Sequence, residues 1–390
     1  MAATKKNSIS VPSDAANAVT PGLGAVTLAA LALPGVMCAP AAAESAPEEG
    51  VISFKVLGYR DSQPGLDRIK VTAPSLHLLA PIAGNWSVEA SAVQDNISGA
   101  SPRWHSNISG ASHMHDLRNA GDIKVTRYFD RAAVGVRFAT SNEHDYRSNA
   151  VAIDARFASA DNNTTWSVGV GGSRDSINPV NGIVENESKR VEEYMVGVTQ
   201  ALSKNDIAQV NLSHVRARGY LNDPYKLVDE RPRFRNQTIA LLRWNHFLEG
   251  SGTTLRSSYR YYSDSYGVRA HTLSGEWVVP IGERFRVTPT ARYYTQRRAD
   301  FYFDPVYDPV YGEPYPLGNP TFYSADTRLS SFGALTFGAK FEWMFAPKWT
   351  LDLKYERYEQ RSAWRFGGGG SPGISAFRAD FAQVGISRRF

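Results

Sequence analysis

The chain has 390 residues, 43 Lys and Arg against 38 Asp and Glu, a formal charge of +5, 42% hydrophobic and 12% aromatic residues, and a single cysteine. One cysteine excludes a disulfide scaffold, the aromatic and apolar content excludes a disordered chain, and beyond the N-terminal part no apolar run is long enough for a membrane helix. What remains is a large chain with a β-leaning composition and room for a sizeable fold.

Residues 1–43 read as a secretory signal peptide. Lys5 and Lys6 lead an apolar run from Leu23 to Leu33, then a Pro34-Gly35 break and the small-residue site Ala41-Ala42-Ala43, with cleavage expected before Glu44. The only cysteine, Cys38, lies in the removed segment, and Val36-Met37 before it does not suit lipid attachment. The mature chain, 44–390, is therefore expected to be one domain without thiol chemistry, and no cofactor is expected.

From Val51 onward the hydrophobic period is two. Sixteen alternating runs follow: 51–59, 68–80, 85–94, 119–128, 132–141, 147–159, 164–173, 189–201, 206–216, 234–246, 253–262, 267–279, 284–295, 328–345, 348–358 and 377–390. Each is about the length of a tilted strand crossing a bilayer. Their connections alternate between short turns, such as Phe129-Asp130-Arg131 and Ala346-Pro347, and long ones at 95–118, 174–188, 217–233, 296–327 and 359–376, with shorter members at 60–67, 142–146 and 263–266. Tight turns at one end and long loops at the other predict an all-β, antiparallel, up-and-down transmembrane barrel of about sixteen strands, with fourteen or eighteen as the range of the count.

Six of eight tryptophans, Trp86, Trp166, Trp244, Trp277, Trp343 and Trp349, fall near short turns, as an aromatic girdle at headgroup depth requires. In 335–345, Leu335, Phe337, Phe341 and Trp343 alternate with Thr336, Gly338, Lys340 and Glu342, giving one face for lipid and one for a polar lumen. Taking polar faces as luminal gathers Arg243, Arg256, Arg260, Arg284, Arg286 and Arg292 on four successive strands as a basic wall that attracts anions. Elsewhere Lys55, Glu89, Lys124, Arg137, Asp154, Arg156, Glu193, Lys340, Glu342, Asp352, Lys354 and Glu356 mix signs, so a salt-bridged, filled interior stands beside the anion-biased pore as the second reading.

Two loops stand out. The 95–118 connection repeats Asn96-Ile97-Ser98-Gly99-Ala100-Ser101 at Asn107-Ile108-Ser109-Gly110-Ala111-Ser112, followed by His113-Met114-His115-Asp116. With His105, the residues His113, His115 and Asp116 have donor types for a borderline metal, although neighbouring loop histidines are more often solvent-exposed passengers. The 296–327 connection, with Asp-Pro-Val-Tyr at 304–307 and again at 308–311, is stiffened by proline and predicts an ordered flap over the lumen. No nucleophile elbow, zinc signature or phosphate loop is present, so no enzyme activity is expected.

Ala382, Val384 and Ile386 alternate towards the terminal Phe390, a strand that resembles the C-terminal targeting strand of Gram-negative outer-membrane proteins, whose final aromatic is read by the barrel-assembly machinery. Arg388 departs from that pattern, and Phe377 and Phe381 are out of phase with it, which predicts a bulge near Phe381. The stretch Tyr59-Arg60-Asp61-Ser62-Gln63-Pro64-Gly65, the stretch Ile69-Lys70-Val71-Thr72-Ala73-Pro74-Ser75-Leu76, the Ser-Gly-Ala-Ser-Pro run at 98–102 and this last strand together resemble an uncharacterised family of exported outer-membrane barrels of about 400 residues. The resemblance implies an outer-membrane location with lipid and the assembly machinery as partners. It also implies a periplasmic or surface protein, of redox type, as a further partner.

Two functions follow as expectations. One is a porin-like channel or export conduit for small anionic solutes. The other is an occluded barrel that docks a partner.

Overall fold

In a computed structural model, the structure describes residues 45–100, 113–226, 228–304, 316 and 318–390. The expected signal segment and Cys38 lie outside them. In chain order the strands are β1 (Val51–Gln63), β2 (Leu66–Ile82), β3 (Trp86–Ala100), β4 (His113–Phe129), β5 (Ala132–Asn142) and β6 (Tyr146–Ala158). They continue with β7 (Thr164–Ile177), β8 (Glu187–Ala201), β9 (Asp206–Gly219), β10 (Asp229–Glu230), β11 (Phe234–Leu248) and β12 (Thr253–Asp264). The last are β13 (Arg269–Ile281), β14 (Phe285–Arg297), β15 (Tyr323–Ser324), β16 (Phe332–Ala346), β17 (Trp349–Arg361) and β18 (Phe377–Arg389). Sixteen of these close into one antiparallel barrel, each beside its chain neighbour, with β18 returning to pair β1. The short strands β10 and β15 form a separate ribbon between two long connections. The sixteen alternating runs are thus the sixteen barrel strands.

Two connections are shorter than the alternation suggests. Between β1 and β2 the chain turns at Pro64-Gly65, with Gly65 at φ +72° and Gln63 opposite Leu66. Proline presets one turn dihedral and glycine takes the positive one, so the polar flanks zip together instead of forming a loop. Likewise β3 extends to Ala100 and β4 starts at His113, these two residues standing opposite each other. Ser, Gly and Asn can enter a ladder because it is made by the backbone, which a side-chain pattern does not report.

Outward positions are apolar along the strands: Phe54, Phe138, Leu273 and Phe337 are each about half exposed or more. Inward positions carry Lys124, Asp154, Gln209, Asn211 and Asp352, all buried. That inversion of a soluble barrel is the pattern of a membrane-spanning one. The interior is not polar throughout. Tyr59, Ile69, Val71, Phe332, Tyr358, Ile374, Phe377 and Phe381 form a buried apolar cluster inside the long-loop half of β1, β2 and β16–β18. This corrects the bulge expected near Phe381. The β17–β18 register runs without a shift from Trp349 opposite Arg388 to Gln360 opposite Phe377, and β1–β18 is equally regular. The phase does not slip; the apolar residues change faces where the strand leaves the apolar band.

Candidate functional site

Register and parity place Arg243 on β11, Arg256 and Arg260 on β12, and Arg286 and Arg292 on β14 on the inward face, with β13 between them. Arg284 does not join them. The strand starts at Phe285, opposite Ile281, so Arg284 sits in the exposed turn with Gly282, whose φ is +60°. The cause is the three-residue turn, which consumes a position that alternation alone assigns to the wall.

The wall is only partly compensated. Arg256 lies 3.8 Å from Glu276 and Arg286 lies 3.5 Å from Glu342, which also takes Lys340 at 2.8 Å. Arg243 donates to Gln209. Arg260 stands over the Tyr262 ring at 5.5 Å. Among the described residues neither Arg260 nor Arg292 is paired with a carboxylate.

Elsewhere in the lumen several charges are paired. Lys124 pairs with Asp154 at 2.7 Å, Arg137 with Asp122 at 2.8 Å and with Glu89 at 3.4 Å, and Lys354 with Glu356 at 2.8 Å. The Lys124 and Asp154 side chains are 8% and 5% exposed, whereas Arg256 and Arg286 are 53% and 55% exposed. Water therefore reaches Arg256 and Arg286, and the Lys124–Asp154 pair is packed. Glu193, Arg156 and Lys55 also face inward, Lys55 meeting Asp352 at 3.5 Å.

Above the barrel, the long connections are laced together. Tyr225, from the β9–β11 connection, donates its hydroxyl to Asp145 of β5–β6 at 2.5 Å and accepts from the Val180 amide of β7–β8. Arg231 bridges Asp229 and Asp326 at 2.8 and 2.7 Å, joining β9–β11 to β14–β16. Tyr266 of β12–β13 donates to the Pro232 carbonyl, and Ser371 of β17–β18 exchanges hydrogen bonds with Ser331. Burial alone would raise the Asp326 carboxyl, but the Arg328, Lys226 and Arg231 charges outweigh it and hold it well below the usual carboxylate range. Burial pushes the Tyr266 phenol up to about 12, so it stays a donor. Sequence reasoning missed this lacing; single Asp and Arg residues in loops carry no periodic signal.

The remaining candidates are placed as follows. Trp86, Trp166, Trp244, Trp277, Trp343 and Trp349 face outward at the short-turn end, where Arg388 covers the Trp349 ring at 5.4 Å. Phe390 exchanges backbone hydrogen bonds with Gly50 at the seam. His105 and the second repeat copy lie outside the described residues, as does most of the Asp-Pro-Val-Tyr tandem. The backbones of His113, His115 and Asp116 stand on β4 opposite Ala100, Ser98 and Ile97, on a paired strand rather than in the expected loop. Among the described residues no three His, Cys, Asp or Glu gather as a metal would need.

A model of the family described as "Protein of unknown function (DUF3570)" matches residues 23–112 and 106–381. None of the curated proteins matches the chain. Among solved structures, CdiB from Acinetobacter baumannii aligns with TM-score 0.50 at 10% identity, over 86% of this chain and 60% of that one. A bacterial polysaccharide outer membrane secretin aligns with TM-score 0.47 at 8% identity, over 87% and 98%. Pseudomonas aeruginosa OccK9 (OpdG) aligns with TM-score 0.43 at 9% identity, over 88% and 98%. At such identities the likeness to CdiB concerns the barrel fold alone.

Proposed function

The chain belongs to the DUF3570 family of unknown function, and we propose that it is an outer-membrane channel for small anionic solutes. The observation that carries this reading is the pair Arg260 and Arg292, inward on β12 and β14 without a carboxylate among the described residues, on the wall that also carries the exposed Arg256 and Arg286. A cation left uncompensated in a narrow, partly low-dielectric passage concentrates anions and repels cations. The outward apolar band with tryptophans at its short-turn edge supports a membrane location with the long connections facing outside. Five Tyr and Phe side chains of the interior cluster, among them Tyr59 and Phe381, suit an anion with an apolar body.

The test is single-channel conductance of the refolded mature chain in a planar bilayer under a salt gradient. Stable steps with anion preference are expected. A folded, heat-modifiable barrel that conducts nothing overturns the channel reading and favours the second one, an occluded barrel that docks a protein. The lacing of the long connections supports that alternative.

A further inference from the structure

The outer surface of β6–β9 carries a feature that transport through the lumen does not use. Register sets Arg174 directly opposite Arg190, and Arg190 directly opposite Arg218, with Asn149 beside Arg174. Three exposed arginines thus stand abreast on three neighbouring strands, their Cα atoms spanning about 10 Å at ordinary strand spacing. Like charges directly opposite one another are unfavourable in a sheet. Arg190 is relieved by Glu192 at 2.9 Å. Among the described residues neither Arg174 nor Arg218, nor Arg147 on β6, is paired with a carboxylate. Several other outward cations at this end are compensated, Arg60 by Asp67, Arg297 by Asp300, and Arg357, Arg361 and Arg378 by Glu359; Lys70, Arg216 and Arg269 are exposed without a carboxylate among the described residues, but they do not form a row across three neighbouring strands.

Directly beside the row, the outward faces of β4–β8 enclose a groove of about 930 Å³, with Arg174 and Arg190 on its rim. Ile123, Phe138, Val151, Val170 and Tyr194 line it. Gly172 keeps its floor low, since a Cβ there would come within 3.1 Å of the Val191 carbonyl. Depth matches as well. Arg174 stands eight residues above Trp166 on the same face of β7, which is about 26 Å along the strand and about 20 Å along the barrel axis at ordinary tilt. The arginines therefore lie at the far edge of the apolar band, where headgroups begin.

We propose that this groove binds an anionic acylated lipid whose headgroup carries phosphate monoesters, as distinct from a zwitterionic phosphodiester. The row Arg174, Arg190 and Arg218 donates hydrogen bonds to the phosphate oxygens, and an acyl chain lies in the groove against Val151, Val170 and Tyr194. Planar guanidinium forks match phosphate better than any single ammonium would, and the groove opens towards hydrocarbon rather than solvent, which selects a lipid over a free ion. The inference rests on the membrane placement argued above, so that placement is read separately, by flotation of the refolded chain with liposomes.

The experiment is native mass spectrometry of the refolded mature chain in a neutral detergent, with bisphosphorylated lipid A as probe and phosphatidylcholine and inorganic phosphate as comparisons. Lipid A is expected to stay bound, with phosphatidylcholine and inorganic phosphate lost. The triple variant Arg174→Ser/Arg190→Ser/Arg218→Ser is expected to weaken lipid A retention about tenfold or more. Val170→Trp, which fills the groove and leaves the arginines in place, is expected to weaken it too. Equal retention by the folded triple variant, or equal retention of phosphatidylcholine, overturns the proposal while leaving the membrane reading intact. Failure to float with liposomes removes the membrane reading itself.

Discussion

Lys124 on β4 reaches Asp154 on β6 at 2.7 Å by crossing Gly135 of the strand between them, where a Cβ would overlap the Lys124 side chain. The same device recurs at the seam: Lys55 on β1 meets Asp352 on β17 across Gly385 of β18. In both places a glycine on the middle strand opens the path for an ion pair between strands that do not touch. Both ions of the first pair are buried, so Asp154→Ala leaves a lysine without compensation and should cost about 3–5 kcal/mol. Gly135→Val should destabilise in the same direction, and Lys124→Met/Asp154→Leu should recover most of the loss. Urea unfolding of the refolded barrel, followed by tryptophan emission, checks this; an Asp154→Ala midpoint equal to that of the parent would refute it.

The lacing of the outer connections should fail in acid before the barrel does. Asp326 accepts from Arg231 and Arg328 and caps the short 3₁₀ turn Thr327–Leu329. Because its folded carboxyl is held below the ordinary value, the stability it adds is fully present above about pH 4 and is lost as pH falls below that. Asp229 acts oppositely: burial raises its carboxyl despite Arg231, so its protonation relieves the loop rather than loosening it. Hydrogen-exchange protection of the connections, corrected for the intrinsic rate at each pH, should be unchanged between pH 5 and 8 and fall below about pH 4. Asp326→Asn should show the lower protection already at neutral pH and lose the acid step. A parent protein whose loops open near pH 6 would contradict the assignment.

The membrane face was legible because lipid imposes a rule on every second residue. The interior was not, because nothing forces its inward positions to be uniformly polar. Thus Phe337, Phe341 and Trp343 announced their side of β16, whereas Phe377 and Phe381 looked like a slip of register and are instead an apolar lining above the charged one. Parity and register agree on the inward face for Arg243, Arg256, Arg260, Arg286 and Arg292, whereas Arg284 falls in a turn whose length alternation cannot count. The partners of those arginines lie on strands far apart in the chain, so register had to be known first.

The interior cluster fills part of the lumen on the long-loop side. Tyr59 and Phe381, on adjacent strands, hold their rings 4.9 Å apart, and both are buried. Phe381→Ala should cost about 3 kcal/mol or more in urea unfolding, since a buried ring is replaced by space. If the cluster limits the passage, the same variant should also raise single-channel conductance. Lower stability with unchanged conductance would make the cluster purely structural.

Arg260 and Arg292 are the two wall residues whose removal should change selectivity most. Replacing each by Gln takes away a luminal charge without stranding a partner, so Arg260→Gln/Arg292→Gln should move the reversal potential under a salt gradient towards the non-selective value, with little change in stability. Arg256→Gln differs, because Glu276 at 3.8 Å is then left unopposed and pushes the lumen towards cations. Arg284→Gln is the control: it lies in the exposed turn beyond the end of β14 and should leave the reversal potential where it is. An equal effect of Arg284 and Arg292 would mean that net charge at the mouth sets selectivity, and the wall itself would then have no special part in it.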